Sequence, residues 1–258
     1  MTNSQCPTPL QFTEANKVLR ALVIASLVIP HRAFSQAVPS STNSLAVSLS
    51  ELTKPAKRIP FTTVIQATTG HRVLELETNN PAHIDLRQRI LKSARLAGER
   101  AQREGMAAAR PNEAGNHLEP FVLAALKEGG LEARIPHTTE GRAQVVGYPD
   151  IEITAPVPCY IELKTYNATT VNTTQRSFYY SPSATPKVTR DAVHLLLGYE
   201  LEKVERAGKT VFVPTHWKLV SLAALEVDLK FEFNQSNRGL YGDPAATLNE
   251  GVIAPARD

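Results

Sequence analysis

Asp150, Glu162 and Lys164 are the residues of this chain whose types and spacing point most directly at chemistry. They lie in the stretch GYPDIEITAPVPCYIELK, residues 147–164, where a Pro-Asp pair is followed downstream by a Glu-Leu-Lys triplet. In an extended strand, residues two apart point the same way. Glu162 and Lys164 therefore share one face, while Ile161 and Leu163 turn to the other. Carboxylates are hard oxygen donors of the kind Mg²⁺ prefers, and a lysine close by is a compact proton donor and cation. Together these are the parts that hydrolysis of a phosphodiester requires.

The spacing alone is a weak signal, because an acidic-x-Lys triplet should arise by chance about twice in a chain of this size. Its surroundings strengthen it. Cys159–Tyr166 reads as a strand, and Val145–Ile153, which carries Asp150, reads as its hairpin partner across a turn at 155–158. Upstream, Leu118, Val122, Ala125 and Leu126 form a helical stripe on a segment from Gly115 that bears Glu119 and stops at Gly129-Gly130. Glu113 competes with Glu119 as an acidic residue on that helix. The alternative for the hairpin is that Asp150, Glu152, Glu162 and Lys164 only keep its surface soluble. Glu152, on the Asp150 face, reads as a surface charge, with an extra ligand as the alternative.

Asn80-Pro81 opens a second helix, with Asn as cap and Pro at the first position, running to about Met106. Its apolar stripe is Ile90, Ala94, Ala97 and Ala101, and its six basic residues between Arg87 and Arg103 make either a solvated or a phosphate-contacting face. Thr62–Leu76 reads as a short hairpin and Leu131–Pro136 as a strand. Val188–Arg206 reads as a helix and Thr210–Val220 as a further strand. Trp217 on that last strand reads as sheet packing, and His194 as a hydrogen-bonded core or boundary residue. Helices alternating with strands in this order bury their apolar faces on a central sheet.

The helix with Glu119, the Pro-Asp strand and the Glu-Leu-Lys strand resemble the PD-(D/E)xK nuclease superfamily, and within it the type II restriction endonucleases. The resemblance covers about residues 115–220. It implies an α/β fold of the restriction-endonuclease-like kind, a mixed central sheet flanked by helices, with a mainly helical N-terminal region. It implies Asp150 and Glu162 as Mg²⁺ ligands with the backbone carbonyl of Leu163. Lys164 would orient the attacking water, and Glu119 would be the acidic residue of the preceding helix. It also implies Mg²⁺ as cofactor, double-stranded DNA as substrate, and a homodimer, since one site per chain cuts one strand. The expected division is residues 1–110 as a dimer- or DNA-contacting region and 111–258 as the nuclease core. Two other functions remain open on the same residues. One is a repair or structure-specific nuclease, or an exported nuclease toxin; the other is a non-catalytic nucleic-acid-binding protein.

After the triplet, Asn172, Gln175 and Arg176 sit in a polar loop with Phe178, Tyr179 and Tyr180. Such side chains read base edges or stack on bases, or else the aromatics simply pack on the sheet. Lys187 and Arg190 follow at the expected start of the 188–206 helix, where phosphates bind well.

The composition narrows the remaining classes. The chain has 258 residues, 42% hydrophobic, with a net charge of +3 that permits a polyanionic partner without demanding one. Two cysteines, Cys6 and Cys159, exclude a disulfide framework or Cys-rich zinc site and fit a reducing, cytoplasmic setting. The seven histidines lack ligand spacing, and there is no nucleophile elbow, Walker loop or dinucleotide fingerprint. The apolar run 21–30 is too short for a membrane span. It reads as a buried element, with a cleaved export signal ending near Ala37 as the alternative.

Overall fold

The computed structural model describes residues 40–108, 111–174, 177–232, 234 and 236–238. The apolar run 21–30 lies outside them. The chain divides between Thr53 and Lys54. Before the division lies helix α1 (Ser40–Leu52).

Beyond residue 54, the elements follow in the order β1 (Ile59–Pro60), α2 (Phe61–Thr69), β2 (Val73–Leu74), α3 (Pro81–Glu104) and α4 (Pro111–Glu128). Then come β3 (Ala133–Arg134), β4 (Ile151–Ile153), β5 (Cys159–Tyr166), β6 (Ala192–Arg206), β7 (Lys209–Ser221) and β8 (Glu226–Val227). Six strands form one sheet in the order β2-β6-β5-β4-β3, with β7 also on β6. Pairing is parallel for β2–β6 and β5–β6 and antiparallel elsewhere, so the sheet is mixed. This is the α/β arrangement expected for the restriction-endonuclease-like class.

Alternation along the strands sends each face to a different core. Ile151, Ile153, Ile161, Leu163, Leu195 and Leu197 face α3 and α4, meeting Leu86, Ile90, Leu118 and Val122. Tyr160 and Ala192 face the other way, toward Phe61 and Ile65 of α2 and Val188. Asn80 caps α3 as expected, its side chain accepting the Ala82 N–H at 3.0 Å. Gly98 lets α3 lie close on the sheet: a Cβ there would meet the Tyr199 ring at 3.2 Å, while the Tyr199 hydroxyl donates to the Ala94 carbonyl at 2.7 Å. Trp217 packs against the first core, in keeping with its expected role in the sheet.

Two elements differ from expectation. Residues 192–206 are a strand, β6, rather than part of a helix. The first half of β6 is buried on both faces, and such a central strand reads as a continuous apolar run that periodicity cannot tell from a buried helix. Residues 61–69 are the helix α2 rather than half of a hairpin. Phe61 and Ile65, four apart, are both fully buried in the second core, and that packing overrides the β preference of the Thr and Val residues around them. Two other strands are shorter than expected, with β3 and β4 limited to 133–134 and 151–153.

Candidate active site

β4 and β5 bring the Pro-Asp pair and the triplet together. Their antiparallel register sets Ile151 opposite Ile161, which leaves Asp150 at the mouth of the hairpin beside Glu162. The Asp150 backbone donates to the Ile161 carbonyl at 3.1 Å, and its Oδ2 accepts the Leu163 N–H at 2.7 Å. The aspartate is thus fixed by the strand that carries the other two residues. Glu162 is buried and pairs through Oε1 with Lys164 Nζ at 2.5 Å, while Lys164 itself is 29% exposed. Ile161 and Leu163 turn into the first core, as the alternation requires.

Two further charged groups join this pair. Glu119 of α4 feels the charges of Asp150 and Lys187, whereas Glu113 is exposed in the first turn of the helix. Lys187 is only 3% exposed, and its ammonium donates to the carbonyls of Gln144 and Val145 at 3.2 and 3.3 Å. Its charge acts on Asp150, Glu162 and Glu119.

The electrostatics are those of crowded carboxylates. Burial, then the charge of Asp150, pushes Glu162 up to about 7 against the pull of Lys164. Burial also raises Asp150, although the Leu163 N–H and the lysines oppose it, and it raises Glu119 with help from Asp150. Burial lowers Lys187. Glu162 Oε2 is buried without a hydrogen-bond partner.

This donor set fits a hard divalent cation. It offers carboxylate oxygens, one of them an orphan, and the repulsion among them is what a cation relieves. Among the described residues, no group of three His, Cys, Asp or Glu side chains is arranged to hold a metal ion alone. Mg²⁺ suits such an open site, since it keeps several waters and takes one or two carboxylates plus phosphate oxygens.

The remaining sequence candidates divide. Asn172 is exposed on the turn after β5, and Gln175 and Arg176 lie outside the described residues. Lys187 and Arg190 precede a strand, so the helix N-terminus expected at them does not exist. Lys187 instead faces inward to the carboxylates. Glu152 is not a surface charge: its side chain is 2% exposed and ion-paired with Arg134 at 2.8 Å and Arg190 at 3.3 Å. Phe178 and Tyr180 pack against the second core, edge-on to Phe61 and Tyr148. Tyr148, next to the Pro-Asp pair, bonds through its hydroxyl to His194 Nδ1 at 2.6 Å. Spacing carries no trace of the burial of Glu152 or Lys187, which depends on contacts from distant segments. The Tyr148–His194 pair was equally invisible.

Residues 54–244 match the model of a family described as the Type II restriction enzyme MjaV family. The match begins at the residue where the chain divides. The Type II restriction enzyme MjaV of Methanocaldococcus jannaschii is 32% identical over 210 residues, covering 75% of this chain and 89% of that protein. With the Asp150, Glu162 and Lys164 hairpin, Glu119 and Lys187 all inside the matched range, the chain belongs to the Type II restriction enzyme MjaV family.

Proposed function

We propose that this chain is a Mg²⁺-dependent endonuclease that hydrolyses DNA phosphodiester bonds at a short specific double-stranded site, with Asp150, Glu162, Lys164 and Glu119 as its active centre. The observation that carries the reading is the orphaned, buried Glu162 Oε2 beside Asp150 in a chain of a restriction-enzyme family. Asp150, Glu162 and the Leu163 carbonyl would hold the metal. When bound, Mg²⁺ offsets charge on the phosphate and makes a water more acidic.

The protein's own groups do the rest. The Leu163 N–H fixes the rotamer of Asp150, so the carboxylate needs no rearrangement to bind. Lys164, partly exposed at the end of its pairing with Glu162, orients the attacking water and donates to the phosphate oxygens on which charge develops. Glu119 and Lys187 set the charge balance around the two ligands. A homodimer follows as the working assembly, because each chain carries one such centre and a duplex has two strands to cut. Among the described residues no helix is long and apolar enough to cross a membrane.

The test is incubation of the purified chain with plasmid and phage DNA in Mg²⁺ and in EDTA. Discrete fragments that need Mg²⁺ are expected. A metal-dependent smear would replace site specificity with a repair or toxin role, and intact DNA under every condition would sink the enzyme reading.

A further inference from the structure

Glu152 is a buried carboxylate for which the hydrolytic centre has no use. It lies on β4 two residues from Asp150 and on the same face of the sheet. Arg134, directly opposite on β3, donates from Nε to one of its oxygens at 2.8 Å. Arg190 Nη2 stands 3.3 Å from the other oxygen, an ion pair without a hydrogen bond. Arg190 is brought there by the backbone before β6. Tyr160, the cross-strand neighbour of Glu152, accepts the Thr189 N–H on its hydroxyl at 3.0 Å and pins the adjoining residue.

One guanidinium neutralises the carboxylate, so the second leaves the group with an excess positive charge. Both arginine side chains are 42% exposed, and among the described residues neither has another acidic partner. Stability is a poor reason for such a group, because buried ion triads are often replaced by packed apolar side chains without loss. What the triad does supply is one planar fork fixed by its hydrogen bond, that of Arg134, and a second, that of Arg190, held beside it by charge, each with N–H donors beyond those facing Glu152. Such forks match the oxygens of a phosphate. At about 3.3 Å per residue, Glu152 stands roughly 7 Å along the strand from Asp150. The arginines are therefore beside the hydrolytic centre and not in it.

We propose that Arg134 and Arg190, held together by Glu152, clamp a backbone phosphate of the DNA strand next to the phosphate being cut. The clamp rests on the nuclease reading and deepens it by placing the path of the substrate strand along β4. A contact of this kind fixes register on the duplex and carries no base preference.

The experiment is the salt dependence of binding to a mixed-sequence duplex of about 30 base pairs in EDTA, for wild type, Arg134→Gln, Arg190→Gln and Arg190→Lys. Each phosphate contact contributes about 0.9 to the slope of log affinity against log salt. Arg134→Gln and Arg190→Gln should each lower that slope by about 0.9 and weaken binding about tenfold near 0.1 M salt. The double variant in a Glu152→Gln background should lose no more slope than either single one, since both arginines serve one phosphate. Arg190→Lys should keep the slope. Arg190→Gln is the safer variant for folding, because Arg134 still partners Glu152. Unchanged slopes in variants that melt like wild type would overturn the clamp and leave the nuclease reading standing. Wild type that binds no duplex at any salt would remove the nuclease reading, and the clamp with it.

Discussion

Glu162 is held where a bare carboxylate is poorly tolerated: buried, next to Asp150, paired with Lys164 and relieved further only by the charge of Lys187. Its pKa is about 7 in the fold against 4.5 for an ordinary glutamate. Between those values the folded protein keeps a proton that the unfolded chain has lost. The stability from this group is thus full below pH 4.5 and is lost as pH rises through 7. Metal-free Glu162→Gln should therefore melt a few degrees above wild type at pH 8 and about level with it at pH 5. Melting in EDTA at the two pH values checks this, and equal midpoints at pH 8 would show that the carboxylate is not strained. The types and spacing of Asp150, Glu162, Leu163 and Lys164 were legible because strand alternation is a local rule. The inward turn of Lys187 and the pairing of Glu152 were not, since Arg134, Gln144 and Val145 reach them only through the folded sheet.

At the scale of elements, the β6–β7 hairpin is the longest unit of the sheet and the one least visible in the sequence. Its turn is Ala207-Gly208, with φ of 50° and 74°. Positive φ at both central positions is the mirror-image turn that matches the twist of a two-residue hairpin, and Asn-Gly is its preferred pair. Ala207 carries the cost of a Cβ in the left-handed region. Ala207→Asn should raise stability by about 0.5–1 kcal/mol with cleavage unchanged, read from urea midpoints; a drop in midpoint would contradict the turn assignment. This turn, with Gly198 and β-branched Val193 inside the run, was the sequence signal for a strand. The spacing of His194, Leu197, Leu201 and Val204 matched a helix equally well. Helix α3 was readable at both ends, because Asn80-Pro81 and Gly105 are local signals that tertiary packing had no reason to override.

Across the whole molecule beyond residue 54, the sheet separates two cores, and His194 is buried on the side of the second. Burial drops its pKa to about 3, so it stays neutral where an unfolded histidine would take a proton. No acidic side chain is among its neighbours in the aromatic group, where Tyr148 stacks on it and Tyr160 meets it edge-on. The stability it contributes is complete above pH 6.5 and is lost as pH falls toward 3. That contribution should be lost over that window against the opposite trend of Glu162, and His194→Gln should remove the loss while lowering stability at pH 7 by about 1–2 kcal/mol through its altered bond to Tyr148. Parallel curves for the two proteins in urea titrations from pH 7 to 4 would contradict this. The α/β class was legible despite one helix mistaken for a strand and one strand for a helix, because alternating apolar segments must bury their faces on a shared sheet in either case. The measurement that bears most directly on the central claim is the rate of duplex cleavage by wild type and Lys164→Met at matched DNA occupancy in Mg²⁺. Cleavage by wild type that stops in EDTA, and a fall of about 10²–10³-fold in the variant with affinity kept, is the expected result. A variant that cuts at the wild-type rate would mean that the hydrolytic centre lies elsewhere in the chain.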